Sequence, residues 1–251
     1  GNHAQGVALA ARKLGIKATI FMPVGASLPK LQATENYGAE VVLTGAVFAE
    51  TLKAAQEYSA KKGAIFIPPY DHLDVIAGQG TVGLEILEEL DDVDNILVAI
   101  GGGGLAAGVA TVAKLKAAAQ GRKIKVIGVQ AKNASPYVQS LKLGRPVEQQ
   151  ITRTIADGIA VSKPGAIPFA LIKKNIDKVV TVSDDEIAKA IVVLLERSKM
   201  VVEPAGAVGV AAIMSGAAKL KGKTVVILSG GNIDPLLLQK VVGHGLAAAE
   251  R

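Results

Sequence analysis

Four consecutive glycines, Gly101-Gly102-Gly103-Gly104, followed by Leu105, stand between an apolar run at residues 95–100 and an alanine-rich segment at residues 106–119. The run reads as a strand and the segment as a helix, so the glycines form a strand-to-helix turn. Backbone N–H groups at such a turn can approach an anion closely, with the positive end of the helix dipole behind them. That is the chemistry of a phosphate cradle. Ordering four glycines is entropically costly, so a merely structural turn explains them poorly, although a glycine-rich turn alone is a weak signal. Two common nucleotide patterns do not fit. No Lys-Ser or Lys-Thr pair follows, and Ala106 and Ala107 occupy the third-glycine positions of G-x-G-x-x-G.

Three other groups of residues could do chemistry. Ser229-Gly230-Gly231-Asn232 follows the apolar run at residues 225–228, which puts a hydroxyl at a strand's carboxyl end, where open α/β sheets bind ligands. An ST-turn or helix N-cap is the plainer reading of that serine. Gly1-Asn2-His3-Ala4-Gln5-Gly6 opens a helix whose first N–H groups suit a carboxylate, or Asn2 is only a cap. In Val202-Glu203-Pro204-Ala205-Gly206-Ala207 the glutamate either serves a ligand or favours a helix N-terminus through the dipole. His3, His72 and His244 are isolated and form no metal-binding or triad pattern.

The elements that must hold these residues alternate along the chain. Strand-like runs occur at residues 18–22, 40–43, 64–67, 95–100, 125–129, 178–182 and 224–228, with helical patterns between most of them. After Asn2, Ala4, Val7, Ala8, Ala11 and Leu14 mark one apolar face and Gly15 stops the helix. Ser183-Asp184-Asp185-Glu186 is a capping box opening a helix to about Lys199. Continuous apolar strands joined through helices predict an α/β fold with mostly parallel sheets covered on both faces. Pro68-Pro69-Tyr70-Asp71 is the best boundary, giving a small domain at residues 1–70 and a large cofactor-binding domain at 71–251. Residues 133–165, rich in Gly, Pro and Ser, read as irregular.

The 251 residues carry a formal charge of +6, with basic residues scattered and only four Tyr, four Phe and no Trp, which argues against nucleic-acid binding. No apolar stretch approaches the ~18 residues needed to span a bilayer, and no basic-then-apolar leader opens the chain. The absence of cysteine excludes disulfides and fits a cytoplasmic protein.

The order and spacing of the four motifs resemble the fold-type II (tryptophan synthase β-like) pyridoxal-phosphate enzymes, and within them the threonine dehydratases. Ile155-Ala156-Asp157-Gly158 is similar to the family's substrate loop, and Asp71 onward through Ile76-Ala77-Gly78-Gln79-Gly80-Thr81 also reads like the family. The resemblance implies pyridoxal 5'-phosphate as cofactor, with Gly101 to Gly104 and Leu105 around its phosphate. It implies Asn2 on the ring hydroxyl oxygen, Ser229 and Gly230 at the pyridine nitrogen, and Glu203 nearby. The substrate would be held by N–H groups of Gly1, Asn2 and His3 and by Asp157 and Gly158. A hydroxyl at the pyridine nitrogen leaves a weaker electron sink than a carboxylate, which suits loss of a β-hydroxyl from threonine or serine to give a 2-oxo acid and ammonia. A homo-oligomer acting in amino acid metabolism, such as isoleucine biosynthesis, is implied too. Serine racemases and other β-substituted amino acid lyases share the fold.

The family holds its cofactor through a lysine in a Lys-x-Arg-Gly-Ala context upstream of the Asn-His turn. No such motif occurs in this sequence, and Lys30, Lys53 and Lys114 lie in helical surface patterns. The expectation is therefore an N-terminally incomplete fold, with both domains partial, that binds the cofactor without catalysing its reaction. The metal site of serine racemases needs carboxylates after residues 125–129. Gln130-Ala131-Lys132-Asn133-Ala134-Ser135-Pro136 has none, so no metal is expected.

Overall fold

The central strand of the larger sheet, β3 (Asn95–Ala99), is buried at every position, and its alternate side chains feed two separate cores. Ile96, Val98 and the following Ile100 face one cluster with Ile76, Val109, Ala113, Val126 and Phe169. Leu97 and Ala99 face the other, with Val129, Ile187, Ile191, Val208 and Ala211. Side chains on a strand point alternately to its two faces, so an unbroken apolar run signals a strand covered on both sides.

A computed structural model describes residues 2–26, 28–46 and 48–249 of the chain. The chain divides into two units, Gly1–Pro68 and Pro69–Arg251. In the second, a four-stranded sheet has the order β5-β4-β3-β6, where β4 is Lys125–Ala131, β5 is Lys178–Val182 and β6 is Thr224–Val226. All its pairings are parallel. Helices α4 (Leu73–Glu89), α5 (Gly104–Ala119) and α7 (Ala166–Asn175) supply one core, and α8 (Asp184–Val193), α9 (Pro204–Met214) and α10 (Pro235–Ala249) the other. The α4–α5 contact depends on Gly108, where a Cβ would lie 2.5 Å from the Ile76 carbonyl oxygen and 2.6 Å from the Gly80 nitrogen. Only a residue without a side chain permits that approach.

In the first unit, α1 (Asn2–Leu14), α2 (Leu28–Asn36) and α3 (Phe48–Lys62) accompany a two-stranded parallel sheet of β1 (Thr19–Met22) and β2 (Glu40–Leu43). Its core is Ala8, Ile20, Met22 and Ala39, flanked by Ala4, Val7 and Leu31. Past α1, Ile16 N–H donates to Ala11 and Gly15 N–H to Arg12, a paired bond pattern that closes a helix at glycine.

Several expectations from sequence are corrected. Residues 64–67 form no strand. Ile65 is 87% exposed, Ala64 N–H bonds back to Ser59 at the end of α3, and no described strand pairs with the segment. Asn2 is the first residue of α1 rather than a cap ahead of it, a shift of the size common at helix ends. β6 ends at Val226 because it meets only Asn95 to Leu97 of β3. Residues 133–165 are less irregular than expected, since α6 (Pro136–Leu143) starts on a proline and ends at left-handed Gly144. The capping box at Ser183 is present, but the helix it opens passes into a π-turn at Leu194–Ser198 and ends at left-handed Lys199.

Candidate functional site

The glycine run stands at the carboxyl end of β3 and leads into α5, with Gly103 as the helix's N-cap at φ 105°. No side chain caps this helix. Among the described residues, no protein group accepts a hydrogen bond from any backbone N–H of residues 101–106. Yet Gly102, Gly103, Gly104 and Ala106 are buried. Buried backbone N–H groups are nearly always paired, so a cluster of unpaired ones at a helix N-terminus marks a place for an anion.

The run is packed from outside by two tyrosines, and one carboxylate holds the start of the helix α7 that lies against it. The Tyr137 hydroxyl donates to the Gly102 carbonyl at 2.9 Å, and Gly165 N–H donates to the same oxygen at 3.2 Å. A Cβ on Gly102 would collide with the Tyr70 ring, and one on Gly103 with the Tyr137 hydroxyl. Asp71 accepts from Ala166 and Ile167 N–H, each at 2.9 Å, so its carboxylate serves the N-terminus of α7. Burial pushes the Tyr137 phenol far above its usual pKa, with smaller contributions from Tyr70 and Asp71. Burial and the charge of Asp71 also raise Tyr70.

Three more motifs read from the sequence meet beside the run. A Cβ on Gly101 would lie 3.1 Å from Ile159 Cα and 3.5 Å from the Gly158 carbonyl oxygen. One on Gly158 would lie 3.0 Å from Ala205 Cβ and 3.6 Å from Glu203 Oε1. Glu203 is buried, caps α9 with Pro204 as the first helical residue, and donates its N–H to Gly230 at 2.9 Å. Gly101, Gly158, Glu203 and Gly230 therefore form one continuous neighbourhood. Ser229 and Asp157 are exposed, the latter as the first residue of a short 3-10 turn at Asp157–Ile159, and Leu105 is half-buried in the first turn of α5.

In the first unit, Asn2 and His3 lie in the first turn of α1, and His3 Nε2 bonds the Ile67 carbonyl at 3.0 Å. Gly1 lies outside the described residues. Lys53 faces Glu57, and Lys114 is tied to Asp177 at 2.6 Å and to the Ile124 carbonyl. No helix among the described residues is long and apolar enough to cross a membrane.

The family model described as "Pyridoxal-phosphate dependent enzyme" matches residues 1–231. The chain belongs to that family. It is 48% identical over its whole length to an L-threonine ammonia-lyase of Thermotoga maritima, and spans 62% of that protein's length. The processed form of threonine deaminase isoform 2 from Solanum lycopersicum superposes with a TM-score of 0.90 at 39% identity, covering 97% of this chain and 71% of that one. Maize serine racemase superposes with a TM-score of 0.89 at 34% identity, covering 100% of this chain and 77% of that one. Pyridoxal phosphate is the family's cofactor. Its phosphate has the charge and the acceptor oxygens that the unpaired amides of residues 101–106 lack.

Sequence reasoning missed Tyr70, Tyr137 and Gln130 as supports of the glycine run. Gln130 carried one legible signal, a polar residue directly after an apolar strand run.

Proposed function

We propose that this chain is the greater part of a pyridoxal-phosphate-dependent threonine and serine dehydratase, releasing a 2-oxo acid and ammonia. One observation carries the reading: unpaired amides at residues 101–106, four of the six residues buried, at a strand's carboxyl end, next to Gly158, Glu203 and Gly230. Likeness to relatives named for threonine deamination points the same way.

Bound pyridoxal phosphate supplies an electron sink that acidifies an amino acid's α-hydrogen and so allows a β-hydroxyl to leave. The N–H groups of Gly101, Gly102, Gly103, Gly104 and Leu105 hold the phosphate, aided by the dipole of α5. Ser229 presents its hydroxyl to the pyridine nitrogen beside Gly230, and Glu203 fixes that loop by donating its N–H to Gly230. Asp157 and Gly158 border the amino acid. On residues 1–68, Asn2 bonds the ring oxygen, and the N–H groups of Gly1, Asn2 and His3 receive the substrate carboxylate. Residues 1–70 then act as a small domain and 71–251 as the cofactor-binding one, in a cytoplasmic homo-oligomer.

Turnover needs a lysine that these 251 residues do not offer in a Lys-x-Arg-Gly-Ala setting. The test joins the chain behind a relative's segment carrying that motif and measures 2-oxobutyrate from threonine. Product from the joined protein, and none from the chain alone, is expected. A joined protein that binds the cofactor but leaves threonine and serine unchanged rejects the assignment. Likeness to maize serine racemase motivates a second reading, which D-serine formation without 2-oxo acid would favour.

A further inference from the structure

Glycine backbone is the most permissive there is, yet an anion site works best when its donors are held in place before the ligand arrives. Two side chains from beyond the run supply that constraint. Gln130 Nε2 donates to the Ile100 carbonyl at 3.2 Å, and the Tyr137 hydroxyl donates to the Gly102 carbonyl at 2.9 Å. Tyr137 N–H in turn donates to Gln130 Oε1 at 3.0 Å, which joins the two supports. Both residues have 0% exposure, and Gly165 N–H fills the remaining acceptor position of Gly102.

In a trans peptide the N–H points away from the carbonyl of the same plane. The described residues contain no cis peptide. Fixing the Ile100 and Gly102 carbonyls therefore turns the N–H groups of Gly101 and Gly103 to the opposite side, where neither finds a protein acceptor. Alternate peptides of the glycine run are thus set by one linked pair of buried side chains. Since burial pushes the Tyr137 phenol far above its usual pKa, it stays a donor at any ordinary pH.

We propose that Tyr137 and Gln130 are positioning residues for phosphate recognition, clamping alternate carbonyls of the glycine run so that the intervening N–H groups face the anion. The proposal rests on reading residues 101–106 as the phosphate site. Neither side chain touches the phosphate. A merely structural role would weaken all ligands alike, whereas a positioning role weakens only those that carry phosphate.

Isothermal titration of the 251-residue chain with pyridoxal 5'-phosphate, pyridoxal and inorganic phosphate separates these cases. Tyr137→Phe keeps the ring and removes one donor. It should weaken pyridoxal phosphate and inorganic phosphate roughly tenfold, the scale of one hydrogen bond, and leave pyridoxal unchanged. Gln130→Met should act in the same direction, and carries the comparison alone if circular dichroism shows Tyr137→Phe unfolded. A folded variant with wild-type affinity for pyridoxal phosphate overturns the proposal, as does equal weakening of pyridoxal and its phosphate. If the wild-type chain binds no inorganic phosphate and does not prefer the phosphorylated ligand, the phosphate site itself is refuted and the positioning role falls with it.

Discussion

At Gly103 two demands meet in one residue. Its φ of 105° lies where side chains are strained, and a Cβ there would meet the Tyr137 hydroxyl, Pro168 Cβ at 2.9 Å and Ile172 Cδ1 at 3.0 Å. Gly103→Ala is expected to abolish phosphate binding and to lower stability by about 2 kcal/mol or more, measurable by urea unfolding. His3 gives a pH signature. Burial holds its pKa below the ordinary imidazole value, against the opposing effect of its bond to Ile67. On acidification the unfolded chain therefore takes up this proton first. The stability it contributes is complete above roughly pH 6.5 and is lost as pH falls below that, towards the folded pKa. His3→Asn should flatten this dependence when urea midpoints are compared at about pH 7 and about pH 5. The places of the glycine run after β3, of Glu203 ahead of Pro204 and of the Ser-Gly-Gly-Asn segment beyond β6 were legible because residue type and immediate neighbours carry them locally. Tyr137 and Asp71 were not, since their bonds to the run and to α7 span 35 and 95 residues.

The elements show the same division between local and distant causes. The capping box at Ser183 is complete: Ser183 Oγ accepts from Glu186 N–H at 3.3 Å, and the Glu186 carboxylate accepts from Ser183 N–H at 2.7 Å. Such a signal is contained in four neighbouring residues, and it is where the sequence placed it. Ser183→Ala should cost about 1 kcal/mol and lower the melting temperature by roughly 2–4 °C. A melting curve unchanged within error would show that the neighbouring packing, not the cap, fixes α8. Residues 64–67 illustrate the opposite case. A short apolar, β-rich run gives them strand character, but a strand exists only where a ladder partner lies alongside, and composition does not encode the partner. The π-turn at Leu194–Ser198 is likewise invisible to a pattern that scores one helical period.

At the scale of the molecule, the α/β architecture followed from the alternation of apolar runs and helical patterns, and the all-parallel sheet from the absence of polar alternation in residues 95–100. Residues 69–251 contain both clusters that flank β3, along with the glycine run, Gly158, Glu203 and Gly230. Expressed alone, they should unfold in one cooperative step by circular dichroism and still bind inorganic phosphate. A broad, non-cooperative transition would show that their core does not stand alone.

In the function proposed for this chain, the unpaired amides at the start of α5 receive the cofactor's phosphate. Backbone amide resonances followed during titration with pyridoxal 5'-phosphate test it residue by residue. The N–H groups of residues 101–106 are expected to shift downfield and become protected from exchange as the ligand binds. Binding that leaves those resonances unmoved, with the shifts centred elsewhere, would contradict it.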